Sequence, residues 1–139
     1  MTEPHEESAT LLLADDDIPF CKVLKRALEK RGFNVSVAHS VEQAIPLAEA
    51  NPPEFAVVDL KMGGAPGLVL VNVLHQLDPT TRIVVLAGYA SIATAVEAIK
   101  LGATQYLAKP ANADEIVAAF SHAPGGNTLL MAQPTQIGN

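Results

Sequence analysis

The amino-acid sequence predicts an α/β protein, a parallel sheet with helices on both faces. Three observations carry this. Short apolar runs at 10–14, 33–38, 55–60, 82–87 and 104–108 alternate with longer segments of helical character. Regular alternation of this kind builds parallel strands through right-handed crossovers. The runs Phe55-Ala56-Val57-Val58 and Ile83-Val84-Val85-Leu86 are apolar without a break, as strands covered on both faces must be. Several of the runs end in residues that carry chemistry: Asp15-Asp16, Asp59, Ala87-Gly88 and Lys109. Open α/β sheets bind ligands beyond the carboxyl ends of their strands.

The 139 residues suffice for one domain with a real core. The chain is 49% apolar and 17% charged, a globular and not a disordered composition. No apolar run approaches the ~18 residues of a membrane span. The acidic start Met1-Thr2-Glu3-Pro4-His5-Glu6-Glu7 lacks the basic opening of a signal peptide. Cys21, the single cysteine, excludes an internal disulfide and suits a reducing cytoplasm. A net charge of −6 argues against nucleic-acid binding by this chain alone.

In chain order, residues 1–9 read as an acidic tail and 10–14 as the first buried strand. Asp17, before Ile18-Pro19-Phe20, has the position of a helix cap. The helix behind it runs to about Arg31 and stops at Gly32. Residues 33–38 alternate apolar and polar, as an edge strand does. Ser40 and Gln43 have capping-box spacing. The interior Pro46 predicts a kink or a late start for the second helix, which ends at Asn51-Pro52-Pro53.

The central strand into Asp59 is followed by the loop Gly63-Gly64-Ala65-Pro66-Gly67, and residues 68–77 form a third helix. After the strand at 82–87, Ser91 is expected to cap a helix through Leu101. The strand at 104–108 leads into Lys109-Pro110, and Asn112 opens a last helix to about His122. Residues 123–139 read as a flexible linker or tail.

A carboxylate at the end of a buried strand is costly to desolvate unless something pairs with it. Asp59 has a candidate partner in Lys109, and Asp15 and Asp16 are candidates to share a cation with it. Clustered carboxylates suit a hard divalent cation, and Mg²⁺ takes one or two of them and fills its shell with water and phosphate oxygens. Lys109 would neutralise a bound phosphoryl group as a point charge. Each residue alone has a plainer reading: paired acids as a turn or cap, Lys-Pro as a loop, Tyr106 as filler. Their joint occurrence at successive strand ends favours a site.

Leu11-Leu12-Leu13-Ala14-Asp15-Asp16, Val57-Val58-Asp59-Leu60-Lys61-Met62 with Gly67, and Tyr106-Leu107-Ala108-Lys109-Pro110 resemble a bacterial response-regulator receiver domain over about 10–122. Residues 83–89, 92–96 and 52–60 are similar to the RegA/PrrA/ActR-type redox regulators in particular. The resemblance implies a flavodoxin-like fold with strand order 2-1-3-4-5. It implies that Asp59 accepts a phosphoryl group from a sensor histidine kinase. Asp15, Asp16, Asp59 and the backbone carbonyl of Lys61 would hold Mg²⁺, and Lys109 would meet the phosphoryl group. Such a domain is a cytoplasmic phosphoacceptor switch and not a conventional enzyme. The family also shows a cis bond at the position before Pro110.

This chain departs from the family at Ala87, where a Thr or Ser normally binds a phosphoryl oxygen and draws the aromatic switch, here Tyr106, inward. The Gly88 N–H is still available to the phosphoryl group. Gly63 and Pro66 are lesser departures. The output implied is transcriptional, with DNA bound only through a domain absent from this chain. The chain is then either a receiver cut from a longer regulator or a natural single-domain protein. A homodimer is implied through the helix 4–strand 5–helix 5 face, with Ala95, Ala98, Ile99, Tyr106, Ala113 and Ile116 as candidates and core packing as their plainer reading. Two rival functions remain: an interaction module that works without phosphate, kept open by Ala87, and a Mg²⁺-dependent phosphotransferase or phosphatase.

Overall fold

The computed structural model describes residues 8–121. The tails expected at either end fall mostly outside them. Five strands and five α-helices alternate: β1 (Ala9–Ala14), α1 (Ile18–Glu29), β2 (Phe33–Ala38), α2 (Val41–Ala50), β3 (Phe55–Asp59), α3 (Gly67–Leu77), β4 (Arg82–Ala87), α4 (Ile92–Lys100), β5 (Gln105–Ala108) and α5 (Ala113–Phe120). A 3₁₀ turn over Tyr89–Ser91 joins β4 to α4. The strands are parallel and lie in the order β2-β1-β3-β4-β5.

Alternation along the central strands divides the core in two. Leu12 and Ala14, Ala56 and Val58, and Ile83, Val85 and Ala87 pack on the side covered by α2, α3 and α4. Leu11 and Leu13, Val57, and Val84 and Leu86 pack on the side covered by α1 and α5. Phe33, Phe55 and Phe120 close the far end of the second side, with Phe55 and Phe120 ring centroids 4.7 Å apart. Both faces of β1, β3 and β4 are thus dry, which is why those runs read as continuous. The edge strand β2 keeps its alternation because only β1 pairs with it.

The helix ends follow local chemistry, with differences from expectation. Asp17 caps α1 by accepting the Phe20 N–H at 3.0 Å. The helix closes at Glu29, two residues short of Arg31, and Gly32 turns the chain at φ 93°. Ser40 accepts the Gln43 N–H, but the Gln43 side chain accepts from His39 N–H, so the box is not reciprocal. Pro46 sits inside α2 without delaying its start at Val41. Asn112 and Glu115 form the full reciprocal box at α5. Ser91 is not the expected cap, for its side chain makes no cap hydrogen bond. Its backbone, at φ −111° and ψ 15°, has already curled into the 3₁₀ turn, whereas a capping serine is extended.

The small residues suggested for a dimer face are largely core. Ala95, Ala98 and Ile116 are fully buried and Ala113 nearly so, while Ile99 and Tyr106 are half-buried against the core. Their helical period faced the sheet. The large apolar side chains that α4 exposes are Ile92 and Val96, 40% and 45% exposed.

Candidate phosphoryl and metal site

The carboxyl ends of β1, β3 and β5 bring Asp15, Asp16, Asp59 and Lys109 together. One oxygen from each acid lies within 4.8 Å of the others. Asp15 and Asp59 are buried and Asp16 is exposed. Lys109 donates to Asp59 Oδ2 at 3.1 Å, and its Nζ lies 3.8 Å from Asp15 Oδ2. Asp59 Oδ1 accepts the Lys61 N–H at 3.1 Å. Both oxygens of the carboxylate at the end of the central strand are therefore partnered.

The peptide after Asp15 is held from two sides. His39 Nδ1 lies 3.0 Å from the Asp15 carbonyl oxygen and donates to it, while the Cys21 thiol donates at 3.2 Å. Asp15 Oδ1 accepts the Asp17 N–H, but Oδ2 is buried without a hydrogen-bond partner. Burial is the main force that lifts the Asp15 carboxyl to about 6; Asp59 adds to it, and the Asp17 N–H and Lys109 oppose it. Burial, and then the charge of Asp15, push the Cys21 thiol up to about 12, so it stays protonated. Burial alone would lower the Lys109 ammonium, yet its bond to Asp59 and the fields of Asp15, Asp59 and Asp16 outweigh that and hold it above the ordinary lysine range.

This donor set fits a hard cation. It consists of carboxylate oxygens, with one Asp15 oxygen buried and without a hydrogen-bond partner, and Mg²⁺ prefers such ligands. Asp16 Oδ2 also accepts the Gly63 N–H at 3.1 Å, and Glu42 Oε2 accepts the Ala65 N–H at 3.3 Å. Two acids thus tether the β3–α3 loop beside the cluster. Gly67 lets α3 begin against the end of β3: a Cβ there would overlap the Asp59 carbonyl oxygen and come within 2.9 Å of Leu60 Cα.

A cleft of about 300 Å³ opens over Asp59, lined by Asp59, Lys61, Gly88, Ala90, Ser91 and Lys109. Ala87 lies behind it, buried on the α4 side, and the Lys109 N–H donates to its carbonyl at 3.0 Å. Tyr106 does not line this cleft; it packs half-buried against the core cluster that contains Ala87. The Lys109-Pro110 bond is cis.

Residues 11–121 match the response regulator receiver domain family. The chain belongs to that family. It is 54% identical over 111 residues to the photosynthetic apparatus regulatory protein RegA of Cereibacter sphaeroides, covering 80% of this chain and 60% of RegA. It is 49% identical over 116 residues to the acid tolerance regulatory protein ActR of Sinorhizobium medicae, covering 84% and 60%. The receiver chain therefore spans about three-fifths of the length of these curated relatives. A response regulator of Burkholderia pseudomallei, solved with a phosphorylated aspartic acid, calcium ion and citrate, superposes with TM-score 0.77 at 50% identity, over 81% of this chain and 66% of that one. A CheY-like receiver from Methanospirillum hungatei superposes with TM-score 0.76 at 27% identity, over 81% and 90%.

Sequence reasoning singled out every acid and the lysine of the receiver cluster. It did not reach the positioning groups His39, in the β2–α2 connection, Cys21 in α1 and Glu42 in α2, which have no spacing relation to Asp59. Nor did it place Ser91 at the cleft, because its position before a helix reads as a cap.

Proposed function

We propose that this receiver domain accepts a phosphoryl group on Asp59 from the phosphohistidine of a sensor histidine kinase and so switches a transcriptional output. The observation that carries the reading is Asp59 itself: a buried carboxylate at the end of the central strand, bonded to Lys109 and the Lys61 N–H, with two more acids beside it. An Asp59 carboxylate oxygen forms the new bond to phosphorus while the bond from phosphorus to the histidine nitrogen breaks. The electron pair leaves with the imidazole, which takes up a proton. Lys109 offsets the added charge as a point cation. Asp15, Asp16, Asp59 and the Lys61 carbonyl would hold Mg²⁺, which when bound supplies charge neutralisation at the phosphoryl oxygens. The Gly88 N–H would donate to the same group.

The output reading rests on the likeness to RegA and ActR, both named regulators. DNA contact would come from a domain outside this chain, and the site of action is the cytoplasm, where such kinases present their phosphohistidine. Dimerisation through α4, β5 and α5 would transmit the switch, with Ile92 and Val96 as the apolar contacts.

Acetyl phosphate and Mg²⁺ should add one phosphoryl mass to the protein, labile to hydroxylamine, and Asp59→Asn should abolish it. Asp16→Asn and Lys109→Ala should slow it. Label persisting in Asp59→Asn would move the acceptor elsewhere. A second reading, a module that works without phosphate, is favoured by Ala87 alone. Wild-type protein that takes up no label would support it.

A further inference from the structure

Ala87 offers only a methyl group, buried at 1% exposure on the α4 side of β4. The phosphoryl group therefore gains no side-chain hydroxyl from the strand. Among the described residues that line the cleft over Asp59, Ser91 is the one that carries a hydroxyl. That hydroxyl is unspent: a serine before a helix usually turns its oxygen onto the first-turn N–H groups, and Ser91 makes no such bond to α4. The reason is the 3₁₀ turn over Tyr89–Ser91, closed by the Ser91 N–H to the Gly88 carbonyl at 2.9 Å. The turn brings positions 88, 90 and 91 into the lining of the cleft that Asp59 and Lys109 also line.

We propose that Ser91 binds the phosphoryl group on Asp59 and supplies the hydroxyl donor that Ala87 lacks. This inference rests on the phosphoacceptor reading above. It has a consequence for signalling. Ser91 is covalently joined to Ile92, the first residue of α4. A hydrogen bond from Ser91 to the phosphoryl oxygens would draw on the start of α4 directly, without Tyr106 as intermediary. A ligand moves an equilibrium only through its differential affinity for the two states, and this bond exists in the phosphorylated state alone.

The test uses the full chain with acetyl phosphate and Mg²⁺. An Asp59 oxygen bonds to phosphorus as the bond to acetate breaks, and acetate leaves with the electron pair. Mass spectrometry follows the rate, and titration with beryllium fluoride and Mg²⁺ gives the affinity for a phosphoryl analogue. Ser91→Ala should lower both by about tenfold, the effect of one hydrogen bond to a charged acceptor. Ser91→Thr should keep both near wild type. Ala87→Ser placed in the Ser91→Ala background should restore them. A merely structural serine would instead lower the melting temperature of the unphosphorylated protein and would not be rescued at position 87. Ser91→Ala that labels Asp59 and binds beryllium fluoride as wild type does would overturn the inference and leave the phosphoacceptor reading intact. No label and no beryllium fluoride binding in the wild type would overturn both.

Discussion

Asp15 shows how one residue trades stability for chemistry. Its carboxyl is fully buried, one oxygen has no hydrogen-bond partner, and Lys109 lies 3.8 Å away, a weak contact. Folding raises its value from 3.8 to about 6, so the fold favours the protonated form. The stability tied to this group is complete below the ordinary value and is lost as pH rises through about 6. Its size is at most about 3 kcal/mol. Asp15→Asn keeps the shape and removes the charge. In the presence of a chelator, urea unfolding should show the variant more stable than wild type at pH 8 and nearly equal at pH 4. Millimolar Mg²⁺ should then stabilise wild type more than the variant. A variant less stable than wild type at pH 8 would mean that pairing with Lys109 outweighs burial.

At the scale of elements, the contact between β3 and α3 decides whether Asp59 is correctly aimed. Gly67 opens α3 directly against the backbone of Asp59 and Leu60, and its N–H donates to the Leu60 carbonyl at 3.1 Å. Alanine is the better helix former by about 1 kcal/mol, but here its methyl would collide with main chain that cannot yield cheaply. Gly67→Ala should lower stability by about 1–3 kcal/mol in urea titrations and slow phosphorylation of Asp59. Gly63→Ala is the control. A Cβ there meets nothing within 4 Å, so its unfolding midpoint should stay close to wild type. Equal midpoints for both variants would show that α3 moves away from β3 without cost. The neighbouring tethers from Asp16 to Gly63 and from Glu42 to Ala65 explain why a loop rich in glycine still has a defined path.

For the whole molecule, the question is which surface carries the signal outward. The α4 helix buries Ala95 and Ala98 and leaves Ile92 and Val96 exposed one turn apart. Ser91 at its start lines the Asp59 cleft, so one short helix runs from the candidate site to an apolar face. Sedimentation should show more dimer after acetyl phosphate and Mg²⁺ than before. Glutamate at both Ile92 and Val96 should hold the protein monomeric while Asp59 is still labelled. A wild type that stays monomeric with the label in place would rule this face out as a dimer switch. Arg31, in the turn after α1, donates through Nε to Asp114 of α5 at 3.1 Å. Both side chains are well exposed, so this pair contributes no more than about 1 kcal/mol.

Reading the sequence alone reached the order of elements, the parallel sheet, and the acids and lysine at the strand ends. These are encoded locally: a strand dry on both faces must be continuously apolar, and a strand end is marked where that run meets Asp15, Asp59 or Lys109. The Asp17 and Asn112 caps were legible for the same reason, since their bonds close within three residues. What only the tertiary structure decided depends on groups far apart in the chain. Apolar residues such as Ala95 and Ile116 have the same helical period whether they face a partner or the sheet, and packing alone turned them inward. His39, from the β2–α2 connection, and Cys21, from α1, meet at the Asp15 carbonyl, and no spacing announces it. Ser91 reads as a cap until the 3₁₀ turn before it is seen, because one turn of backbone decides whether its hydroxyl serves its own helix or the cleft over Asp59.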